Sequence, residues 1–274
     1  MPGYNNFIRN HPWIKRVWRL ASQNWYHNET LLNGGGAIAI GLASGIGVWV
    51  FKYLIDLANK FFFTNLSGWL GTWGKWTIAL PPVLGGLMVG LLVHFRVRQE
   101  RHHGVAGIME AVALAGGRLR YRRMPIKAIT AALSIGSGAS IGPEDPSVQI
   151  GANLGSFFGA KFQFSEDRVR TLVAAGAAAG IAAAFNAPIA GVFFAVEIIL
   201  GEISSGAIGI VLVAAVASAV FTQAVSGVQP AFSVPAYTMN SVWELPFYLA
   251  LGLLAGPVSA LYIRLIYLSA RSIR

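Results

Sequence analysis

Apolar residues run through this sequence in nine stretches, and several are too short to cross a bilayer. They cover residues 34–57, 76–95, 104–115, 124–141, 147–160, 169–185, 188–200, 206–225 and 245–268. A full helical span needs roughly 20 residues, so the runs at 104–115, 147–160 and 188–200 fall well below it. Glycine and proline punctuate them, and Pro81-Pro82 marks a kink or a helix start within the second run. Helices are therefore expected to stop inside the membrane. Such ends are tolerated only where protein or a water-filled cavity satisfies the freed backbone groups. Interrupted helices of this kind line the substrate sites of transporters. The expected class is an all-α integral membrane protein.

Composition supports that class and excludes others. Of 274 residues, 55% are hydrophobic and only 12% charged, with a mean hydropathy of +0.57. A soluble domain carries about 25% charged residues. A disordered tail and almost any soluble enzyme of this length are excluded. With no cysteine there is neither a disulfide scaffold nor a thiolate site. No His/Asp/Glu cluster or activated serine stands out, so an enzyme is not expected, nor a metal or cofactor.

Charge placement gives an expected topology. Lys and Arg number 21 against 11 Asp and Glu, a net charge of +10. Arg96, Arg98 and Arg101 follow the second run, Arg118, Arg120, Arg122, Arg123 and Lys127 form a second block, and Arg264, Arg271 and Arg274 close the chain. Residues 226–245 carry no Lys or Arg. The positive-inside rule then puts the basic loops and the N-terminus in the cytoplasm of a multi-pass cell-membrane protein. Lys60 and Lys75 are minor exceptions. The excess charge is a topology signal, and no nucleic-acid partner is expected. Residues 1–33 lack a secretory signal core. Trp13, Ile14, Val17, Trp18, Leu20 and Trp25 fall at helical spacing opposite Lys15, Arg16 and Arg19. That pattern fits either an amphipathic helix lying on the lipid surface or a solvated segment carrying topology charge. The transmembrane domain is expected over residues 34–274.

The residues suited to chemistry centre on Gly142-Pro143-Glu144-Asp145-Pro146, followed by Ser147-Val148-Gln149-Ile150-Gly151. Pro146 suits a first helical position, because its missing N–H has no partner there. The free N–H groups of a helix start carry the positive end of the dipole and attract anions. Carboxylates at membrane depth are costly and mark function by default. Glu144 resting on those N–H groups could imitate a bound anion and leave when protonated, which makes it a gate. Asp145 could equally be an ordinary N-cap.

This region resembles the G-x-E-x-P motif of the CLC family of chloride channels and proton-coupled chloride antiporters. The stretch from Ala174-Ala175-Gly176 to Phe185-Asn186-Ala187-Pro188-Ile189-Ala190-Gly191 is similar to a second family motif almost letter for letter. The resemblance implies two inverted repeats of tilted and re-entrant helices, a homodimer, and one anion pathway per subunit. It implies a gating role for Glu144 and anion contacts around Gly142, Pro143, Asp145 and Ser147. The family's first anion-binding loop falls, by register, on His102-His103-Gly104-Val105-Ala106, roughly forty residues before Glu144. His103 then holds the serine position, beside Gly104 and Val105. Gly136-Ser137-Gly138 is a decoy, expected inside the preceding helix and suited to close packing.

Three departures from the family pattern stand out. His103 could donate a ring N–H to chloride, with consequences for selectivity; a helix-start histidine facing the cytoplasm is the alternative. Pro143 and Asp145 stand where Arg or Lys and Gly are common, which weakens anion attraction. Ile198 stands where antiporters carry a proton-delivering glutamate, beside Glu197, which could pack structurally or relay protons. Nothing after Gly201 matches the family's later G-x-F-x-P motif, and Tyr237, Tyr248, Tyr262 and Tyr267 sit in the wrong helices to close the anion site. The resemblance thus implies the first repeat plus about one helix, with the second repeat absent. The expected function is glutamate-gated transport of chloride or a related anion, as channel or antiporter, in the full-length protein. The alternative is a membrane fragment that folds or dimerises without a complete pore.

Overall fold

The computed structural model describes residues 29–66, 74–97, 104–201, 205–228, 238–239 and 241–272. The surface-helix reading of the N-terminus rests on residues outside this set, and so does His103. Among the described residues there is helix and turn, and no strand. The helices are α1 (Glu29–Asn59), α2 (Leu80–Leu92), α3 (Gly104–Leu114), α4 (Met124–Gly136), α5 (Glu144–Lys161), α6 (Glu166–Phe185), α7 (Pro188–Phe194), α8 (Ser205–Ser226) and α9 (Glu244–Ser272). α1 runs on as a π-helix over Lys60–Leu66, and α7 likewise over Ala195–Leu200. Among the described residues, five helices are long and apolar enough to cross a membrane, those within Gly34–Leu66, Thr77–Arg96, Glu166–Phe185, Gly206–Ser226 and Glu244–Ser269. The all-helical architecture expected from the sequence is observed among the described residues.

Helix α6 is the axis. Every side chain from Leu172 to Ala184 is buried, and α1, α5, α7 and α8 pack around it. Its run of alanine and glycine explains why: small residues let helix backbones approach closely inside a membrane, where van der Waals contact drives association. The approach to α5 is closest. A Cβ on Gly151 would run into the Gly176 carbonyl, and one on Gly155 into the Leu172 carbonyl. Buried Ser218 of α8 donates its hydroxyl to the Ala179 carbonyl at 2.8 Å.

The far end of α6 is closed by side chains from its neighbours. Asn186 takes the left-handed conformation at φ 54° and ends the helix. Lys52 of α1 donates its ammonium to the Ala184 and Ala183 carbonyls at 2.7 and 3.1 Å. A cation there meets both the unsatisfied carbonyls and the negative end of the dipole. Gln223 of α8 donates to the Asn186 side chain at 2.7 Å. The break expected between Asn186 and Pro188 is thus a braced corner.

One local alternative is resolved and two expectations change. The proline pair resolves as a helix start: a short 3-10 turn over Lys75–Ala79 leads into α2, with Pro81 in its first turn. Helix α4 ends at Gly136, and Gly138 has φ +101°, so Ser137 and Gly138 lie past the helix, not within it. Helix α5 begins at Glu144, which makes Pro146 its third residue. A proline is tolerated there, because the first four N–H groups have no intrahelical acceptor.

Residues 232–274 form a separate compact unit carrying α9. This helix runs 29 residues through an internal Pro257, and its large apolar side chains, from Leu245 to Leu268, are exposed. A helix apolar on every face suits a lipid surrounding.

Candidate anion-binding site

The starts of α3 and α5, forty residues apart in sequence, meet. Asp145 joins them. Its carboxylate accepts the Val105 backbone N–H at 2.8 Å through Oδ1 and the Gln149 side-chain amide at 2.7 Å through Oδ2. Gly104 makes room for this contact: its φ is +76°, and a Cβ there would lie 2.7 Å from Oδ1. Gly104 and Val105 of the first segment singled out in the sequence therefore lie against Asp145 of the second.

Each remaining candidate has a definite place. Glu144, exposed in the first turn of α5, folds its carboxylate back over Gly142. Among the described residues that carboxylate has no hydrogen-bond or ion-pair partner. Pro143 precedes the helix, and its carbonyl accepts from the Ser147 N–H at 3.1 Å and the Ser147 hydroxyl at 2.7 Å. Ser147 is fully buried, so its hydroxyl is committed to the backbone. The N–H groups of Glu144 and Asp145 lie ahead of that first intrahelical bond, and Pro146 has none to offer. Glu197 is exposed on the π-helix that follows α7, a segment packed against α3.

Beside the Asp145–Val105 contact lies a cavity of about 450 Å³ whose wall includes Gly104, Gln149, Asn153, Arg118, Arg120 and Lys127. The basic block of the α3–α4 loop, read in the sequence as topology alone, thus lines a space adjoining the two helix starts. Buried Ser156 holds that loop to α5, accepting the Leu119 N–H and donating to the Gly117 carbonyl, both at 2.8 Å. Gln149 and Asn153 escaped the sequence reading as site residues. The signal was present: Asp145, Gln149 and Asn153 recur every fourth residue, a polar stripe on one face of α5. A second cavity, of about 510 Å³ at the starts of α6 and α8, contains none of the candidate residues.

Comparison with known proteins settles the family. The profile described as "Voltage gated chloride channel" matches residues 85–274. The chain belongs to the CLC family. A ClcB-like chloride channel protein of Ralstonia nicotianae is 38% identical over 195 residues, covering 70% of this chain and 46% of that protein. Chloride channel protein CLC-f of Arabidopsis thaliana is 34% identical over 249 residues, 83% of this chain and 30% of that one. Among solved structures, a slow cyanobacterial Cl⁻/H⁺ antiporter superposes with a TM-score of 0.69 at 25% identity, covering 82% of this chain and 54% of that one. The CLC chain described here thus spans between about a third and a half of the length of these relatives. Family membership and the apolar helices together make it a multi-pass membrane protein.

Proposed function

We propose that this protein moves chloride or a related small anion across a membrane, with Glu144 as the gate. The observation that carries the reading is the meeting of the α3 and α5 starts at Asp145, beside a cavity whose wall carries Arg118, Arg120 and Lys127 against one carboxylate, Glu110. Two helix N-termini concentrate positive potential at one point, where a partly desolvated anion gains most. Glu144 stands at the head of α5 with its carboxylate unpartnered among the described residues, free to enter or leave that potential. His103 adjoins Gly104 and Val105 and is assigned a donor role to the anion. Glu197, on the segment against α3, is the candidate for a proton route. The basic loops and the N-terminus face the cytoplasm, and two copies associate through the apolar faces of α7 and α8, where Ile189, Phe193 and Val220 are exposed.

Flux from liposomes containing the purified protein tests the gate. Glu144→Gln should raise chloride efflux about tenfold or more, equivalent to roughly 1.4 kcal/mol in the barrier, or abolish its pH dependence. Simultaneous proton recording separates a channel from an antiporter. Flux and pH dependence identical to the parent protein would overturn the gate. No flux from either protein would favour a membrane component that dimerises without a pore. In the same liposomes His103→Ser should shift the preference between chloride and nitrate; an unchanged preference removes His103 from the pathway.

A further inference from the structure

We infer that Asp145 is a resident anion, tethered to the protein, that holds the N-terminus of α3 against the transported ion and so sets its affinity and selectivity. The inference rests on the anion pathway proposed above and adds a specificity-determining residue to it. The Val105 N–H is among the first of α3, a donor that its own helix leaves free. Here it is already bonded, at 2.8 Å, to a carboxylate from another helix. The second carboxylate oxygen is fixed at 2.7 Å by Gln149, one turn along α5. Gly104 completes the seat, since any Cβ would press on Oδ1. Both oxygens are thus held, and the side chain is half-buried. The carboxylate occupies the donor by design of its surroundings.

Two effects follow for a mobile anion. It loses one backbone donor, and it meets a fixed negative charge beside the starts of both helices. Both weaken binding of an ion that needs strong donors to replace its water. Chloride suffers more than nitrate, which gives up its hydration more readily. The adjoining cavity wall, with Arg118, Arg120 and Lys127 against Glu110, carries a net positive charge that offsets part of the repulsion without restoring the lost donor.

The charge and the donor can be separated. Asp145→Asn keeps an oxygen acceptor for Val105 and removes the charge, while Asp145→Gly removes both. Purified protein labelled with ¹⁵N-valine, titrated with sodium chloride, reports the Val105 amide directly. In the parent protein the Val105 resonance should not respond to chloride. In Asp145→Gly it should titrate, and the chloride Kd read by isothermal titration calorimetry on all three proteins should be about tenfold or more lower in Asp145→Gly than in the parent protein, a change of about 1.4 kcal/mol. Asp145→Asn should tighten chloride binding with Val105 still silent. A Val105 resonance that titrates equally in all three proteins, or in none, overturns the inference. Circular dichroism and a monodisperse elution profile establish that each variant is folded. The Glu144→Gln flux is read separately: a normal gate response with no Asp145 effect sinks only this inference. An Asp145 effect without a gate response sinks only the gate.

Discussion

At the scale of single residues, the site depends on side chains that bond backbone groups of a different element. Asp145 does so for α3 and Lys52 for the end of α6. Ser156 does so for the loop of Arg118 and Arg120, and it does two jobs with one oxygen, accepting from Leu119 and donating to Gly117. Ser156→Ala leaves a partly buried N–H and a carbonyl without partners, a loss of about 2 kcal/mol. The apparent Tm in detergent should fall by several degrees, and the wall of the adjoining cavity should loosen with it. An unchanged Tm would mean that water replaces the hydroxyl. The Asp145 contact itself was not legible in the sequence. Capping explains an aspartate at a helix start, and local spacing then points to its own helix. Its acceptor role belongs to a helix forty residues earlier, and only folding brings that N–H within reach.

At the scale of elements, the sequence was far more readable. All nine apolar runs correspond to helical segments, and three of them end where a residue with positive φ stops the helix: Asn186 at φ 54°, Gly201 at φ +68° and Gly227 at φ +78°. Where reading failed, the cause was local. The first turn of α5 is made of Glu144, Asp145 and Pro146, polar or ring-bearing residues that hydropathy assigns to a loop, although a first turn tolerates all three. The α5–α6 contact yields a sharp prediction. Gly151→Ala places a methyl group against the Gly176 carbonyl and should cost about 1–3 kcal/mol, as overpacking does in a closed core. Gly86→Ala on α2, where a Cβ would meet nothing within 4 Å, should be neutral or slightly stabilising. Comparing thermal melts of the two variants tests the contact; equal Tm values would refute it.

At the scale of the whole molecule, helix α6 is enclosed by four neighbours and is the least apolar of the five membrane-length helices among the described residues. The same fact bears on biosynthesis. A segment of alanine and glycine gains little from lipid on its own, and the insertion machinery judges each emerging helix largely by that gain. α6 leaves the ribosome before α8, which supplies part of its enclosure. Among the five, α6 is thus the helix that gains least from entering the bilayer alone, although the finished fold is built around it.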